Sequence, residues 1–267
     1  MTATAIEASA YYRTGAMVKS ALGYGTYMGR NLNQLLLNDN DPSCCQAEND
    51  INKLLAGYPR NHNYKVLKKK LFPSFRLYDR LRLVAQLYPD ELESFLDVGC
   101  CRGFYAMEAA QRPHCRISVG IDIHEPFIST ADRVKQYLGI ENTNFHLASL
   151  GNVAEKPEAY GGPFQTVLLI GTYHYLFWGS FLSSTAYYSH REILARLYKI
   201  CTDRLIISAR LEIYRLPNGI REKAKQFSSE IAYSTEDFLK NAEEFFQIYH
   251  TDYLGVYPLF VMHKKKP

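Results

Sequence analysis

The stretch Leu96-Asp-Val-Gly-Cys-Cys-Arg-Gly-Phe-Tyr105 marks a change from strand to helix across one short loop. Residues 93–99 are largely apolar and predict a buried strand, and residues 104–111 predict the helix that follows. Gly99 permits a sharp turn with a close approach of the backbone, and Gly103 permits tight entry into the helix. The amides at the start of that helix can then bind a polar or anionic group.

Predicted strands and helices alternate from this stretch onward. This spacing favours a parallel sheet with helices on both faces. The last two strands are separated only by a short turn at Leu254 and Gly255, so they must be antiparallel. We predict an α/β fold, a doubly wound, Rossmann-like sheet of seven mostly parallel strands with an antiparallel last strand. The predicted strands are 93–99, 116–122, 143–149, 166–171, 204–211, 245–252 and 257–263, and the predicted helices between them are 104–111, 126–138, 190–200 and 235–242.

Residues 1–90 have a different pattern, in which short helical stretches are broken by glycines and by the run that ends at Pro42. We expect a helical cap or lid over residues 1–90 and the cofactor-binding domain over residues 91–267. Such a cap would bring tyrosines to an acceptor pocket, among them Tyr24 and Tyr27. The alternative is that these rings pack between the cap and the sheet.

The composition suits a folded domain and gives little support for a nucleic-acid partner. The chain has 267 residues, 47% hydrophobic and 22% charged, with a formal net charge of +4. This charge is only mildly basic. The lysine clusters at 65–70 and 264–266 are either solvated surface or phosphate contacts.

Six cysteines are present without the spacing of a zinc site, so we expect free thiols, no metal and a reducing compartment. The N-terminus has no basic start followed by an apolar run, and the apolar stretches are too short to span a bilayer. The sequence therefore predicts a soluble, cytoplasmic protein without a membrane contact. It does not indicate the oligomeric state.

A second motif, Gly120-Ile-Asp122, ends the next predicted strand about twenty residues further on, as in nucleotide-binding β–α–β units. An acid at this position can accept hydrogen bonds from both hydroxyls of a ribose. The alternatives are a structural turn at the glycines and a helix cap at Asp122. NAD or FAD would favour further glycines where Cys101 and Phe104 stand.

The stretch 96–105 resembles motif I of class I S-adenosylmethionine (SAM)-dependent methyltransferases, and Val119-Gly-Ile-Asp122 resembles their motif II. Gly151 and the segment Gly171-Thr-Tyr-His-Tyr175 further resemble the branch that contains the tRNA wobble-uridine carboxymethyltransferase. The resemblance spans roughly residues 93–263 and implies SAM as the cofactor. Residues 60–92 lack the tryptophan-rich, basic stretch with which that branch recognises carboxy-SAM, so ordinary SAM is expected.

The resemblance also implies roles for individual residues. The loop of Asp97, Gly99, Cys100 and Gly103 would surround the methionine part of SAM. Asp122 would hold the ribose, and Ile123 would lie against the adenine. Ser149 and Leu150 would lie near the adenine edge. Ile170 and Gly171, at the end of strand four, would line the cofactor beside the methyl group. One departure is Cys101, which stands where the family has its middle glycine and would narrow the loop.

Residues 171–180 follow strand four and should lie over the methyl group. His174 can accept a proton from an attacking hydroxyl or amine, and Tyr173 and Tyr175 are the neighbouring catalytic candidates. A hydrogen-bonding role within the loop is the alternative for His174. Trp178 either clamps a flat acceptor or packs under the next helix.

Arg210 and Glu212, after strand five, either bind a charged acceptor or pair with each other. No carboxylate directly follows strand four, which disfavours a metal-dependent mechanism.

The leading hypothesis is a SAM-dependent methyltransferase that acts on a small organic acceptor by in-line displacement. Orientation of the reactants and exclusion of water supply most of the acceleration in such a reaction. One alternative is an RNA methyltransferase of the tRNA wobble-uridine type, and another is a SAM-binding protein without transferase activity.

Overall fold

The computed structural model describes residue 24 and residues 42–57, 62–183 and 185–266. The chain divides into two compact units, residues 1–83 and residues 84–267. The assignment of residues 1–90 to a cap and 91–267 to a SAM-binding domain remains a prediction. None of the helices in the described part of the chain is both long and apolar enough to cross a bilayer.

The first unit contains a β-hairpin that the sequence did not reveal. Helix α1 (Pro42–Leu55) precedes strands β1 (Tyr64–Leu67) and β2 (Lys70–Pro73), and helix α2 (Phe75–Ala85) begins directly after them. The two residues of the hairpin turn, Lys68 and Lys69, have φ angles of 45° and 56°. Two-residue hairpins usually have Asn or Gly at such positions, and two lysines there give no recognisable turn signal.

The second unit contains the seven-stranded sheet and the helices that cover it. Its strands are β3 (Ser94–Val98), β4 (Ile117–Asp122), β5 (Thr143–Leu147), β6 (Phe164–Ile170), β7 (Cys201–Ser208), β8 (Phe246–Leu254) and β9 (Tyr257–Lys264). Its helices are α3 (Phe104–Ala110), α4 (Glu125–Leu138), α5 (Leu150–Glu155), α6 (Tyr173–Trp178), α7 (His190–Ile200), α8 (Asn218–Phe227) and α9 (Thr235–Ala242).

The strand order in the sheet is β5-β4-β3-β6-β7-β9-β8. Strands β3 to β7 are parallel, and β9 runs antiparallel to both of its neighbours. This confirms the predicted Rossmann-like sheet with its antiparallel last strand. The strand order reverses between β3 and β6, and ligands of doubly wound sheets bind at that point, outside the carboxyl ends of the strands.

The central strands are buried on both faces, which explains their continuous apolar sequences. Val167, Leu168 and Leu169 of β6 are fully buried, as are Leu205, Ile206 and Ile207 of β7. This rigid centre fixes where each strand ends and therefore where the loops beyond the strands begin.

Three helices of the second unit were not predicted, namely α5, α6 and α8. Helices α5 and α6 have six residues each, which is too short for an apolar repeat to be recognised. Residues 173–178, expected as a loop, therefore form a short helix, and its Tyr173, Phe177 and Trp178 belong to the hydrophobic core.

Candidate functional site

The loop after β3 is anchored to the neighbouring strand β4. The amides of Gly99 and Cys100 both donate to the carbonyl of Ile121, at 2.8 and 2.9 Å. Gly99 and Gly103 have φ angles of 76°, in the left-handed region where a side chain is strained. The loop thus has a fixed shape beside the end of β4.

At both glycines, an added side chain would collide with a residue in or just after another strand of the sheet. A Cβ at Gly99 would be 2.4 Å from Oγ1 of Thr172, which follows β6. At Gly103 it would be 2.4 Å from the ring of Phe145 in β5. The predicted need for glycine is therefore explained by close approach as well as by backbone conformation.

Cys101 adopts a left-handed conformation, which glycine favours, with φ at 51°. Its amide donates to Oδ2 of Asp122 at 2.9 Å. A side chain in this conformation costs about 1 kcal/mol. The loop therefore keeps the turn that a middle glycine would give.

Asp122 ends β4, and each of its oxygens already accepts one backbone amide. Oδ2 accepts from Cys101, and Oδ1 accepts from His124 at 3.0 Å. Burial raises the pKa of Asp122, while these hydrogen bonds oppose the rise. Because a carboxylate has about four lone-pair positions, both oxygens can accept a further bond, as the predicted ribose contact requires.

Asp97, next to the end of β3, is the most unusual acid at this edge of the sheet. It is buried, and its Oδ2 has no hydrogen-bond partner. Burial and the neighbouring Asp122 carboxylate raise the pKa of Asp97 to about 8. The side chain is thus poised to pair with a cation or a donor brought by a ligand.

Two apolar side chains stand in solvent at the ends of β4 and β5. Ile123 is 42% exposed and Leu147 is 57% exposed. Leu147 is the register partner of Asp122, so the two side chains flank the same acid. Leu147 was not among the predicted site residues, although an apolar residue at a strand's carboxyl end was an available signal.

Ser149 and Leu150 both have structural roles, and their place at the adenine edge stays a prediction. The side chain of Leu150 is 1% exposed and belongs to the hydrophobic core. Ser149 accepts the amide of Asn152 at 3.2 Å and caps α5 in a capping box.

Ile170 and Gly171 lie where β6 leaves the sheet, as predicted. Ile170 is half-buried, and Gly171 is exposed with φ at 71°. The amide of Gly171 donates to the carbonyl of Ser208 in β7 at 2.8 Å. The backbone after β6 is therefore exposed to solvent at Gly171. The side chain of the next residue, Thr172, occupies the space beside Gly99.

Tyr173 and Trp178 belong to the hydrophobic core, and their catalytic and acceptor roles stay predictions. The hydroxyl of Tyr173 bonds to Nδ1 of His190 at 2.6 Å, and the residue is fully buried. Trp178 is 1% exposed and packs against Phe177 and Tyr233. Both side chains lie on the face of α6 that packs against the hydrophobic core.

His174 and Tyr175 begin helix α6 after the end of β6, and their catalytic roles stay predictions. His174 is 1% exposed, and neither of its ring nitrogens has a hydrogen-bond partner. Burial, and then the positive charge of Arg210, lower the pKa of His174 to about 3. The imidazole is therefore neutral, and the ring of the partly exposed Tyr175 covers it at a centroid distance of 4.1 Å.

Arg210 and Glu212 follow β7 but have different partners. The guanidinium of Arg210 lies over the ring of Tyr257 at 4.8 Å and donates to the carbonyl of Arg215 at 3.4 Å. Glu212 accepts the amide and the hydroxyl of Thr235, at 3.2 and 2.7 Å. Glu212 is thus hydrogen-bonded at the start of α9 through Oε1, and its role as an acceptor ligand stays a prediction.

Tyr24 packs within the first unit. Its hydroxyl donates to the carbonyl of Pro73 at 3.1 Å, and its ring contacts Phe75 and Tyr78. Tyr27, the other predicted acceptor contact from this region, lies outside the described residues.

In the described part of the chain, no three His, Cys, Asp or Glu side chains cluster as metal ligands would. The thiols of Cys100, Cys115 and Cys201 are buried there without disulfide bonds.

Comparison with known proteins identifies the segment that carries the loop and both acids. Residues 89–184 match the family model described as a methyltransferase domain. No curated protein matches this chain in sequence.

Two solved structures share the fold. One, from Listeria monocytogenes, is named as a candidate S-adenosylmethionine-dependent methyltransferase. It is 15% identical, with a TM-score of 0.51 over 70% of this chain and 98% of its own. The other is WbdD, 16% identical, with a TM-score of 0.54 over 80% of this chain and 46% of its own. At 15% and 16% sequence identity, these two comparisons show that the fold is shared.

The domain match and the shared fold together support the predicted enzyme class, a SAM-dependent methyltransferase, with SAM as its cofactor. The resemblance to the tRNA wobble-uridine branch remains a prediction.

Proposed function

We propose that this protein transfers a methyl group from SAM to a small organic acceptor. The cofactor would lie across the carboxyl ends of β3, β4 and β5, and the acceptor would lie at the ends of β6 and β7. The observation that carries the proposal is the buried Asp97, whose unbonded oxygen lies beside a glycine loop that excludes side chains.

The residues at this edge suit each part of SAM. The ammonium of the methionine part is the donor that Asp97 lacks, and a bound cation favours the ionised carboxylate. Asp122 has lone pairs left for the ribose hydroxyls. Ile123 and Leu147 offer apolar surface to the adenine ring, whose burial removes both side chains from water.

Bound SAM supplies a methyl group on a sulfonium sulfur, which keeps the bonding electron pair on transfer. The chain's own contribution is to bind, orient and exclude water, since alignment alone is worth roughly 7–11 kcal/mol at best. His174 is neutral and buried, and its pKa of about 3 makes it a weak base, so its ring would orient a hydroxyl or amine acceptor by hydrogen bonding, and the released proton would pass to solvent. Tyr175 is the exposed ring beside it and the second residue placed to contact an acceptor.

Two features favour a small acceptor over RNA. The polar groups at the ends of β6 and β7 are buried or half-buried, which suits a ligand that is enclosed rather than laid across a surface. The chain's net charge of +4 is also modest for a protein that must bind many phosphates.

Calorimetric titration with S-adenosylhomocysteine (SAH) tests the cofactor site. We expect Asp97→Asn and Asp122→Asn each to weaken binding by roughly tenfold to a hundredfold, because hydrogen bonds to charged groups are lost. Glu141→Gln, at an exposed acid before β5, is the matched control and should bind as the wild type does. A folded wild-type protein that ignores millimolar SAH, or unchanged affinity in both site variants, would refute the proposed site.

A further inference from the structure

Two polar side chains at the ends of β6 and β7 have hydrogen-bonding capacity that the described residues leave unused. Both ring nitrogens of the buried His174 are without partners. Arg210 is half-buried, and the one hydrogen bond that its guanidinium donates, to the carbonyl of Arg215, is long at 3.4 Å. Because a buried polar group without a partner is destabilising, His174 indicates a place for a polar ligand, and Arg210 adds a half-buried cation at the end of the neighbouring strand.

The position of Arg210 is fixed from two sides. Its guanidinium lies over the ring of Tyr257, and its backbone carbonyl accepts the hydroxyl of the buried Tyr233. A guanidinium that rests with one face on a ring can still present its planar edge of N–H donors. That edge matches two oxygens of a carboxylate or phosphate.

The positive charge of Arg210 is not neutralised by the nearest acid in the sequence. Glu212 is held by Thr235 through two hydrogen bonds to the same oxygen, Oε1. Among the described residues, no carboxylate forms an ion pair with Arg210. A half-buried cation without a counter-ion favours an anionic ligand.

His174 lies within the electrostatic reach of this cation. The charge of Arg210 contributes to the lowered pKa of His174, second to burial. A neutral imidazole has one donor and one acceptor nitrogen, so it can bind a protic group but not neutralise a charge. The two side chains therefore suit different ends of one ligand.

We propose that the acceptor is a small oxyanion, whose carboxylate or phosphate pairs with Arg210 and whose protic group hydrogen-bonds to His174. This inference rests on the proposed function and defines the substrate class of the same site. Tyr175, partly exposed above His174, would contact the body of such an acceptor.

The test uses the full chain saturated with SAH and three probes of similar size. Benzoate and phenyl phosphate carry the two oxyanions, and benzamide is the neutral control. We expect at least one oxyanion to bind roughly tenfold or more tightly than benzamide, as charge-assisted hydrogen bonds predict. The tighter of the two identifies the oxyanion.

Two substitutions at Arg210 separate charge from geometry. Arg210→Met keeps much of the packing stem and should abolish the preference for the oxyanion. Arg210→Lys keeps the positive charge but lacks the planar edge of N–H donors, so it should retain only part of the preference for the oxyanion. Arg116→Met, at an exposed arginine at the amino end of β4 where it pairs with Glu93, is the matched control.

A second readout follows the histidine directly. In wild-type protein with ¹³C-labelled histidine, a bound oxyanion should offset the charge of Arg210 and raise the pKa of His174 from about 3. Benzamide should leave the NMR titration of His174 unchanged.

The outcomes distinguish this inference from the proposed function. If SAH fails to bind, the proposed function fails with it. If SAH binds but no oxyanion is preferred, or the preference survives in both Arg210 variants, the oxyanion subsite is wrong and the cofactor site stands.

Discussion

The cofactor side and the acceptor side of this sheet edge are held in place by different means. At the ends of β3 and β4, backbone hydrogen bonds connect the loop to Ile121 and Asp122, so the backbone itself forms the site. At the ends of β6 and β7, side chains of α6 pack into the core, while His174 and Arg210 keep unused capacity. The first side is preorganised for one ligand, and the second depends on what its side chains bind.

The largest expected effect tests how rigid the cofactor side is. Gly103→Ala places a methyl group 2.4 Å from the Phe145 ring in a backbone conformation with φ at 76°. We expect a loss of roughly 2–4 kcal/mol in the free energy of unfolding, measured in urea, and loss of SAH binding.

Gly139→Ala is the control for this substitution. Gly139 has φ at 69°, but nothing lies within 4 Å of an added Cβ. It should cost only about 1 kcal/mol, the strain of the backbone alone. Equal losses at both positions would show that the contact with Phe145 does not define the loop.

The next effect concerns the proton on Asp97. Its pKa of about 8 in the folded protein lies above its unfolded value, so the folded state binds the extra proton at neutral pH. Stability should therefore fall as the pH rises from about 4 to about 8. Relative to the wild type, Asp97→Asn should gain roughly 1–3 kcal/mol between about pH 5.5 and about pH 8.5.

Urea unfolding of both proteins at the two pH values measures this difference. Glu141→Gln serves again as the exposed control and should run parallel to the wild type. A constant difference between Asp97→Asn and the wild type at both pH values would contradict a buried proton.

A smaller effect tests whether Tyr173 stabilises the core or acts at the acceptor site. Tyr173→Phe removes a buried hydrogen bond to His190 and should cost about 1 kcal/mol of stability without changing SAH affinity. Tyr175→Phe, at the neighbouring exposed ring, should leave stability within about 0.5 kcal/mol. Reversed effects on stability would return Tyr173 to the acceptor site.

The smallest effect is expected at Cys101. Cys101→Gly relieves about 1 kcal/mol of left-handed strain, but glycine gives the unfolded chain more freedom. The net change should be a gain of no more than about 0.5 kcal/mol, seen as a slightly higher melting temperature. A clear loss of stability or of SAH affinity would show that the thiol side chain supports the loop.

The loop geometry at the proposed cofactor side could be predicted because its determinants are local in sequence. Gly99, Gly103 and Asp122 occur at strand ends, and their chemistry depends on residue type and position along the chain. The continuous apolar runs of β6 and β7 likewise identified buried parallel strands before any contact was known.

The acceptor side could not be predicted in the same way, because contacts distant in sequence decide it. Tyr173 is taken into the core by His190, and Glu212 is taken by Thr235. Leu150 turns inward because Ser149 starts a helix there. Each of these side chains had a plausible site role by sequence alone, and each found a partner 17 or more residues away or a place in the core.

The contact between Thr172 and Gly99 ties the evolution of the two sides together. The threonine side chain lies where a β-carbon at position 99 would stand, so position 99 can accept a side chain only if the residue at position 172 moves or becomes smaller. A chimaera that takes the proposed nucleoside-binding strands from one parent and the proposed acceptor segments from another must therefore have glycine at position 99 wherever it has threonine at position 172. New substrate ranges are therefore easier to reach by substitutions beyond Thr172, around Tyr175 and Arg210, than by exchange of whole segments.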